Sequence, residues 1–343
     1  MKDSFVADLR LGSLIHTTFL VQSKELKKGR SGRSYLDVRL QDSSGTIAGR
    51  YWDADGVAFA FEPDDLVLVK AQAEEYQGAL QLRLGDIVRY DGPSDPRDYL
   101  PRSPRDSERA YAALLERVRR TPEGFIRKLL CAVMDDPEIA RRYKLAPAAT
   151  VYHHAYLGGL LDHVTSLVEV GDRVCDHYPE LDRELVLAGL VLHDLGKIEE
   201  LQYDAAFRYS TRGQLLGHIF LGLEIVRQKI AEIPGFPQRL RDQIEHMILA
   251  HHGRLEFGSP KEPLFPEALV VHYLDDLDSK LESMRAQYEA DERRPGDWTT
   301  RNRSLARELL KTRPRSSGAT ALEAGTPGVP SEEAAPAQGD LPL

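Results

Sequence analysis

A chain of 343 residues is longer than one average domain, so two folded units and a tail are the natural expectation. Its net charge of -9, from 45 Lys and Arg against 54 Asp and Glu, argues against a protein that coats nucleic acid over its whole surface, but leaves room for a local basic groove and suits a site that gathers divalent cations. Two cysteines exclude a disulfide framework, no apolar run approaches the ~18 residues of a membrane span, and the opening MKDSFVADLRLG lacks an apolar signal core; the expectation is a cytoplasmic protein without a membrane segment.

Residues 1–91 read as strands. LGSLIHTTFLVQSKEL, RSYLDVRLQD, TIAGRYWD, DLVLVKAQAEEY and ALQLRLGDIVRY alternate apolar and polar residues and are separated by turn-rich KKGRSGR, SSG, DADG and QG. Five strands in under 100 residues, with room for a short helix between Asp55 and Phe61, predict a small closed barrel of the OB type. Between Lys24 and Arg39 six basic residues stand against two acidic ones, a local +4 in an acidic chain. Lys27, Lys28, Arg30 and Arg33 are therefore candidates to hold a phosphate chain, with Tyr35 as a stacking face for unpaired bases. A solvated charge run and a core aromatic are the competing readings of the same residues.

Residues 92–106, with four prolines in polar surroundings, read as a linker. From Ser107 the apolar period changes from two to 3.6, and seven amphipathic stretches fill residues 107–295 as an all-α domain. Residues 296–343 form a C-terminal extension whose low-complexity ending predicts disorder, although Trp298 and its neighbours have the means to dock on the folded part. The fold class is thus α+β and multidomain: a five-stranded OB-like barrel followed by a helical domain.

The histidines carry the chemistry. There are 11, and all but His16 fall between His153 and His272, where an even spread would put about four. Helical fragments supply His163; His193, Asp194 and Lys197; His218; His251 and His252; and Asp275, Asp276 and Asp278. Taken singly, each has a plain reading as core histidine, helix cap or surface acid; His246 and His272 in particular read as core. Taken together, so many imidazoles and carboxylates among Leu and Val need a partner, and that donor set suits Mn, Mg, Fe or Zn. Lys197, one turn after His193, would repel a metal but attract a phosphate oxygen.

These fragments resemble the HD superfamily of metal phosphohydrolases, whose pattern is a lone His, a His-Asp pair and a distal Asp. The resemblance implies that His163, His193, Asp194 and Asp275 hold a divalent metal, with Asp276 the rival for the last position. It also implies that His218, His251 and His252 hold a second ion in members that bind two, Asp194 then bridging them. HHAYLGGLLDH, LHDLGK, STRGQLLGH, LAHHGRLEFGSP and LDDLDSKL extend the likeness to the YhaM-type 3'-to-5' exoribonucleases of bacteria, which place an OB-fold before the HD domain.

The activity this resemblance implies is metal-dependent hydrolysis of single-stranded RNA, with single-stranded DNA as a further substrate, from the 3' end to nucleoside 5'-monophosphates. The cofactor is one or two divalent ions, Mn first among them. Asp194 and Lys197 are the catalytic candidates, the lysine neutralising a phosphate oxygen. His153 and His154 are candidates for contact with the substrate phosphate or terminal sugar, with capping or packing the other option, and Arg254 is a weaker candidate for the same task. The rival function is an HD hydrolase of small nucleotides with the barrel as a regulatory module; a non-enzymatic RNA-binding protein with a structural metal is a third reading. A homo-oligomer is compatible with all three.

Overall fold

The computed structural model describes residues 2, 4–29, 32–150, 154–204 and 206–311, so Arg30, His153 and the low-complexity ending lie outside the described residues. The five strands form as their alternation predicts: β1 (Leu14–Lys28), β2 (Ser34–Asp42), β3 (Gly45–Tyr51), β4 (Leu66–Tyr76) and β5 (Ala79–Arg89). They close in the order β1-β2-β3-β5-β4. The long β1 makes closure possible, because Leu14–Leu20 pairs with β4 and Leu20–Lys28 with β2. A short parallel contact of β3 with β5, from Ala48 to Arg50, completes the ring. Inward-facing Phe19, Val21, Leu36, Val38, Leu40, Val67, Val69 and Leu82 fill the barrel, as the period of two requires.

No helix forms between Asp55 and Phe61, contrary to expectation. Phe59 and Phe61 both pack on the barrel core. Residues two apart share a side in extended chain but lie ~200° apart around a helix, so burying both rings selects the irregular path. The proline-rich stretch also differs from a plain linker. Within it Tyr99 and Leu100 are buried in a cluster with Leu20, Leu66, Leu157 and Ala206. Thr18 Oγ1 and Tyr99 Oη lie 2.6 Å apart, and Gln41 donates to the Tyr99 carbonyl. Two large apolar residues in a polar run turn a spacer into a strap that joins barrel to helices.

The helical part comprises α1 (Ser107–Arg119), α2 (Phe125–Met134), α3 (Pro137–Tyr143), α4 (Gly159–His177), α5 (Arg183–Leu192), α6 (Lys197–Glu200), the two-residue pair β6 (Leu201–Gln202) and β7 (Arg208–Tyr209), α7 (Thr211–Ala231), α8 (Gln238–Ala250) and α9 (Pro266–Ala290). Asp106, Asp182 and Ser210 accept backbone N–H groups at helix starts, which satisfies donors that have no partner within the helix. Asp136 does the same for α3, with Pro137 at its first position. One continuous core joins α4 (Leu160, Val164), α5 (Val186, Leu190), α8 (Met247, Ile248) and α9 (Val271, Leu274). The segment around Trp298 does dock, through Asn302, which donates to the Ser283 carbonyl on α9, and through buried Leu309. Among the described residues no helix is long and apolar enough to cross a membrane.

Candidate metal centre

Five helices end at or pass one region of this core. His163 lies inside α4 and is buried. His193 is the C-cap of α5, so the His193-Asp194 pair stands at the helix end and not within it. That end carries the partial negative charge of unsatisfied carbonyls, which favours a nearby cation. The chain turns back at once, because Gly196 brings α6 against α7: a Cβ there would come within 1.9 Å of the His218 carbonyl oxygen. Gly217 breaks α7 at φ 72° immediately before His218, a left-handed conformation that glycine adopts at little cost. His251 is the C-cap of α8, and Asp275 lies on α9.

These elements bring His163, His193, Asp194 and Asp275 together, one ligand atom from each lying within 4.8 Å of all the others. His163 Nε2 is 3.2 Å from Asp275 Oδ1, 3.4 Å from His193 Nε2 and 3.8 Å from Asp194 Oδ2. His193 Nε2 is 3.3 Å from the same Asp194 oxygen. A second group joins His218, His251 and His252, and it meets the other carboxylate oxygen: Asp194 Oδ1 lies 3.5 Å from His218 Nε2 and 3.7 Å from His251 Nε2. One carboxylate therefore presents one oxygen to each group.

The far side of each ring determines which nitrogen faces inward. The Nδ1 of His193 lies 3.0 Å from the Leu190 carbonyl, and that of His251 lies 2.7 Å from the Ile248 carbonyl. A carbonyl can only accept, so Nδ1 carries the proton and Nε2 offers its lone pair. Glu200 holds the Nδ1 of His218 at 3.1 Å and accepts the backbone N–H of the same residue. Asp278 Oδ2 lies 2.8 Å from His163 Nδ1 and 3.0 Å from His154 Nε2, and its Oδ1 accepts the Ser166 hydroxyl. Such outer partners orient metal-binding imidazoles.

The electrostatics agree with this geometry. Burial, reinforced by His252 and His193, holds the His251 imidazole well below its usual value and hence neutral. Burial and His218 lower His252 likewise. Burial opposes ionisation of Asp194, yet Lys197 and His193 outweigh it and keep the carboxyl well below the ordinary range. Burial also disfavours a charge on His163, but Asp275 and Asp278 overcome it and push the imidazole up to about 9. Lys197 remains charged because Asp194 and Asp275 outweigh its burial, and its Nζ lies 2.6 Å from Asp194 Oδ2.

These residues fit a divalent cation. Of seven buried side-chain polar atoms without a hydrogen-bond partner among the described residues, four converge here: Asp194 Oδ1, His218 Nε2, His251 Nε2 and His252 Nδ1. Buried polar atoms are otherwise nearly always satisfied, and a common cation would satisfy all four. Neither free cysteine belongs to a metal-competent group among the described residues.

Other expected site residues fall elsewhere. Asp276 pairs with Lys280 on the surface, away from the cluster that takes Asp275. His154 is buried and turned toward Asp278 and Tyr156, a supporting position and not an open one. Arg254 is exposed and paired with Glu256. On the barrel, Lys27 is engaged by Asp37 and Glu25, Arg33 by Asp53, and the Tyr35 ring lies 4.9 Å from Trp52; Lys28 ends β1 opposite Ser34. His246 accepts the Leu264 N–H and His272 is bonded to the His251 carbonyl; both are hydrogen-bonded but half-buried, at the margin of the core and not inside it. Sequence reasoning missed Glu200, which precedes His218 by 18 positions with no motif to connect them. For Asp278 there was a signal, one turn beyond Asp275 on the same helix face.

The HD domain family matches residues 160–280, the span that contains both imidazole groups. An OB-type barrel strapped to a helical unit with paired His/Asp clusters defines an HD-domain protein built to hold divalent metal. Its relatives narrow the class. The 3'-5' exoribonuclease YhaM of Bacillus subtilis (strain 168) is 32% identical over 296 residues, which cover 85% of this chain and 92% of that protein. The YhaM proteins of Bacillus licheniformis and Geobacillus sp. (strain WCH70) are 32% and 30% identical over 297 and 321 residues, covering 92% and 96% of their lengths. The chain belongs to the YhaM family of 3'-5' exoribonucleases.

Proposed function

We propose that this protein is a metal-dependent 3'-to-5' exoribonuclease that hydrolyses single-stranded RNA, and single-stranded DNA as a secondary substrate, to nucleoside 5'-monophosphates in the cytoplasm. One observation carries the reading: Asp194 turns its two oxygens to two separate groups of buried imidazole nitrogens. In this reading His163, His193, Asp194 and Asp275 hold one ion, and Asp194, His218, His251 and His252 a second, with Mn preferred. Divalent ions bound there would lower the pKa of water from 15.7 toward ~7 and stabilise charge on a phosphate.

The chain's own groups supply the rest. Asp278 and Glu200 hold two of the rings in register, and α5 and α8 hold two more through their terminal carbonyls. Lys197, charged and 2.6 Å from Asp194, is poised to exchange part of that contact for a non-bridging phosphate oxygen as negative charge builds. The barrel, strapped to the helices through Tyr99 and Leu100, would grip the phosphate chain with the Lys27–Tyr35 segment. Lys27 and Arg33 are already paired with acids, which favours loose, sequence-tolerant contact over tight binding. Self-association would have the exposed Leu269, Tyr273, Leu277 and Leu281 of α9 to use.

The test is incubation of purified protein and Mn with 5'-end-labelled RNA and, separately, with free nucleotides. A ladder shortening from the 3' end with release of 5'-monophosphates is expected. Hydrolysis of mononucleotides with RNA left intact would overturn the proposal in favour of a small-nucleotide hydrolase.

A further inference from the structure

Against the second imidazole group lies an open cleft of about 390 Å³. His218 and His252 form part of its wall, and nearly all the rest is apolar, including Leu216, Phe220, Leu249 and Phe257. Phe257 is 62% exposed and Phe220 46%. Fully burying a phenylalanine is worth ~1.5–3 kcal/mol, and here two forgo part of that gain beside a group of imidazoles. Among the described lining residues the polar side chains are His218, His252 and Glu200, all at the imidazole end of the cleft. The only carboxylate, Glu200, already accepts the N–H and faces the Nδ1 of His218.

We propose that this cleft holds the base of the 3'-terminal nucleotide by its flat faces, between Phe257 and Phe220, while its 5'-phosphate lies toward His218 and His252. The inference rests on the exonuclease reading and deepens it, because it assigns the terminal base a place and a mode of recognition. Every base has a π face, so stacking without edge contacts tolerates all four. An exonuclease that must remove whatever residue comes next needs that tolerance. The apolar wall away from the two imidazoles is what distinguishes such a cleft from a nucleotide-specific pocket, where unpaired edge-reading groups would reject the wrong base.

The test measures binding and is independent of turnover. Equilibrium dialysis of the Mn-loaded protein is run with AMP, CMP, GMP, UMP and ribose 5-phosphate. Stacking of one base is worth a factor of about 5 to 150. Each monophosphate should therefore bind at least about 5-fold tighter than ribose 5-phosphate, with the four within roughly 10-fold of one another. Phe257→Ser should erase most of the advantage of the base and leave ribose 5-phosphate unchanged, whereas Phe257→Trp should retain it; thermal melts check that both variants fold. Equal binding of AMP and ribose 5-phosphate by the wild type would overturn the inference, and so would strong selection of one base. If RNA is degraded but the base adds nothing to binding, the cleft assignment falls alone. If the base adds affinity but RNA is not degraded, the exonuclease reading falls and the cleft remains.

Discussion

Asp278→Asn separates the orientation of a ligand from ligation itself. The substitution preserves size and removes charge at a residue that belongs to none of the Asp194-centred contacts. Asp278 Oδ2 faces His163 Nδ1 at 2.8 Å and His154 Nε2 at 3.0 Å, and Oδ1 accepts Ser166 at 2.6 Å. An amide has one acceptor oxygen where the carboxylate has two. If that oxygen stays with the imidazoles, the new NH2 meets Ser166, whose hydroxyl can turn to accept. His163 then keeps an acceptor that is neutral, and a neutral hydrogen bond is about half as strong as a charge-assisted one. Weakening such an outer partner costs roughly 10–100-fold in metal affinity, or ~1.4–2.7 kcal/mol. Asp276→Asn is the internal control, two residues earlier on the same helix. Among the described residues its carboxylate pairs with Lys280 alone, at the surface, a contact worth ~0.3–0.5 kcal/mol. Mn titration of both folded variants should show a large loss for Asp278→Asn and none for Asp276→Asn. Equal Mn affinities would refute the idea that Asp278 sets the His163 ring.

Other perturbations probe the remaining links. Asp194→Asn should remove metal from both imidazole groups at once, measured by elemental analysis, and lower RNA hydrolysis by at least ~10²–10³-fold; a variant retaining one full equivalent would contradict a shared carboxylate. Gly196→Ala puts a Cβ within 1.9 Å of the His218 carbonyl oxygen and 2.5 Å of the Gly222 nitrogen. Forcing α6 from α7 should cost ~1–3 kcal/mol, read as a lower Tm, and an unchanged Tm would show that the helices have slack. Far from the site, Arg117 and Arg183 hold Asp172 below its usual value against partial burial. A depressed carboxylate stabilises the fold above its unfolded value of ~3.9 and loses that contribution as pH falls through its lower folded value. Asp172→Asn should therefore cost ~1 kcal/mol at neutral pH, with the gap from wild type closing only in strong acid; urea titrations at several pH values would reveal a gap that instead closes near neutrality.

The barrel was legible because its strands alternate and its turns carry Gly, Ser and Asp, so local pattern and tertiary fold agree. It was less so where one residue serves two elements or where packing overrules composition. Asp136 follows the apolar run of α2 without a break, yet its side chain caps α3. Tyr99 and Leu100 sit in a run whose prolines suggest a spacer, and only the facing Leu20 and Leu157 make them a strap. The basic loop shows a different limit. A count of +4 says nothing about Asp53 and Asp37 folding back onto Arg33 and Lys27, since pairing depends on strand register and not on position along the chain.

At the site, residue types were legible and directions were not. Three aspartates within four positions of α9 have three fates: Asp275 faces the cluster, Asp276 the solvent, and Asp278 the back of His163. Helix geometry separates them by ~100° per residue, but which face points inward depends on Val271 and Leu274 in the core. The His251-His252 pair, read from sequence as either a cap or a ligand, shows why the two readings were not rivals. An imidazole has two nitrogens. His251 bonds the α8 carbonyl with Nδ1, and this same bond commits Nε2, as a lone pair, to Asp194 and its shared interior. His193 does likewise at the end of α5. Two helix C-termini thus orient two imidazoles, and the strong acceptors that terminate each helix also set the tautomer that a bound cation would require.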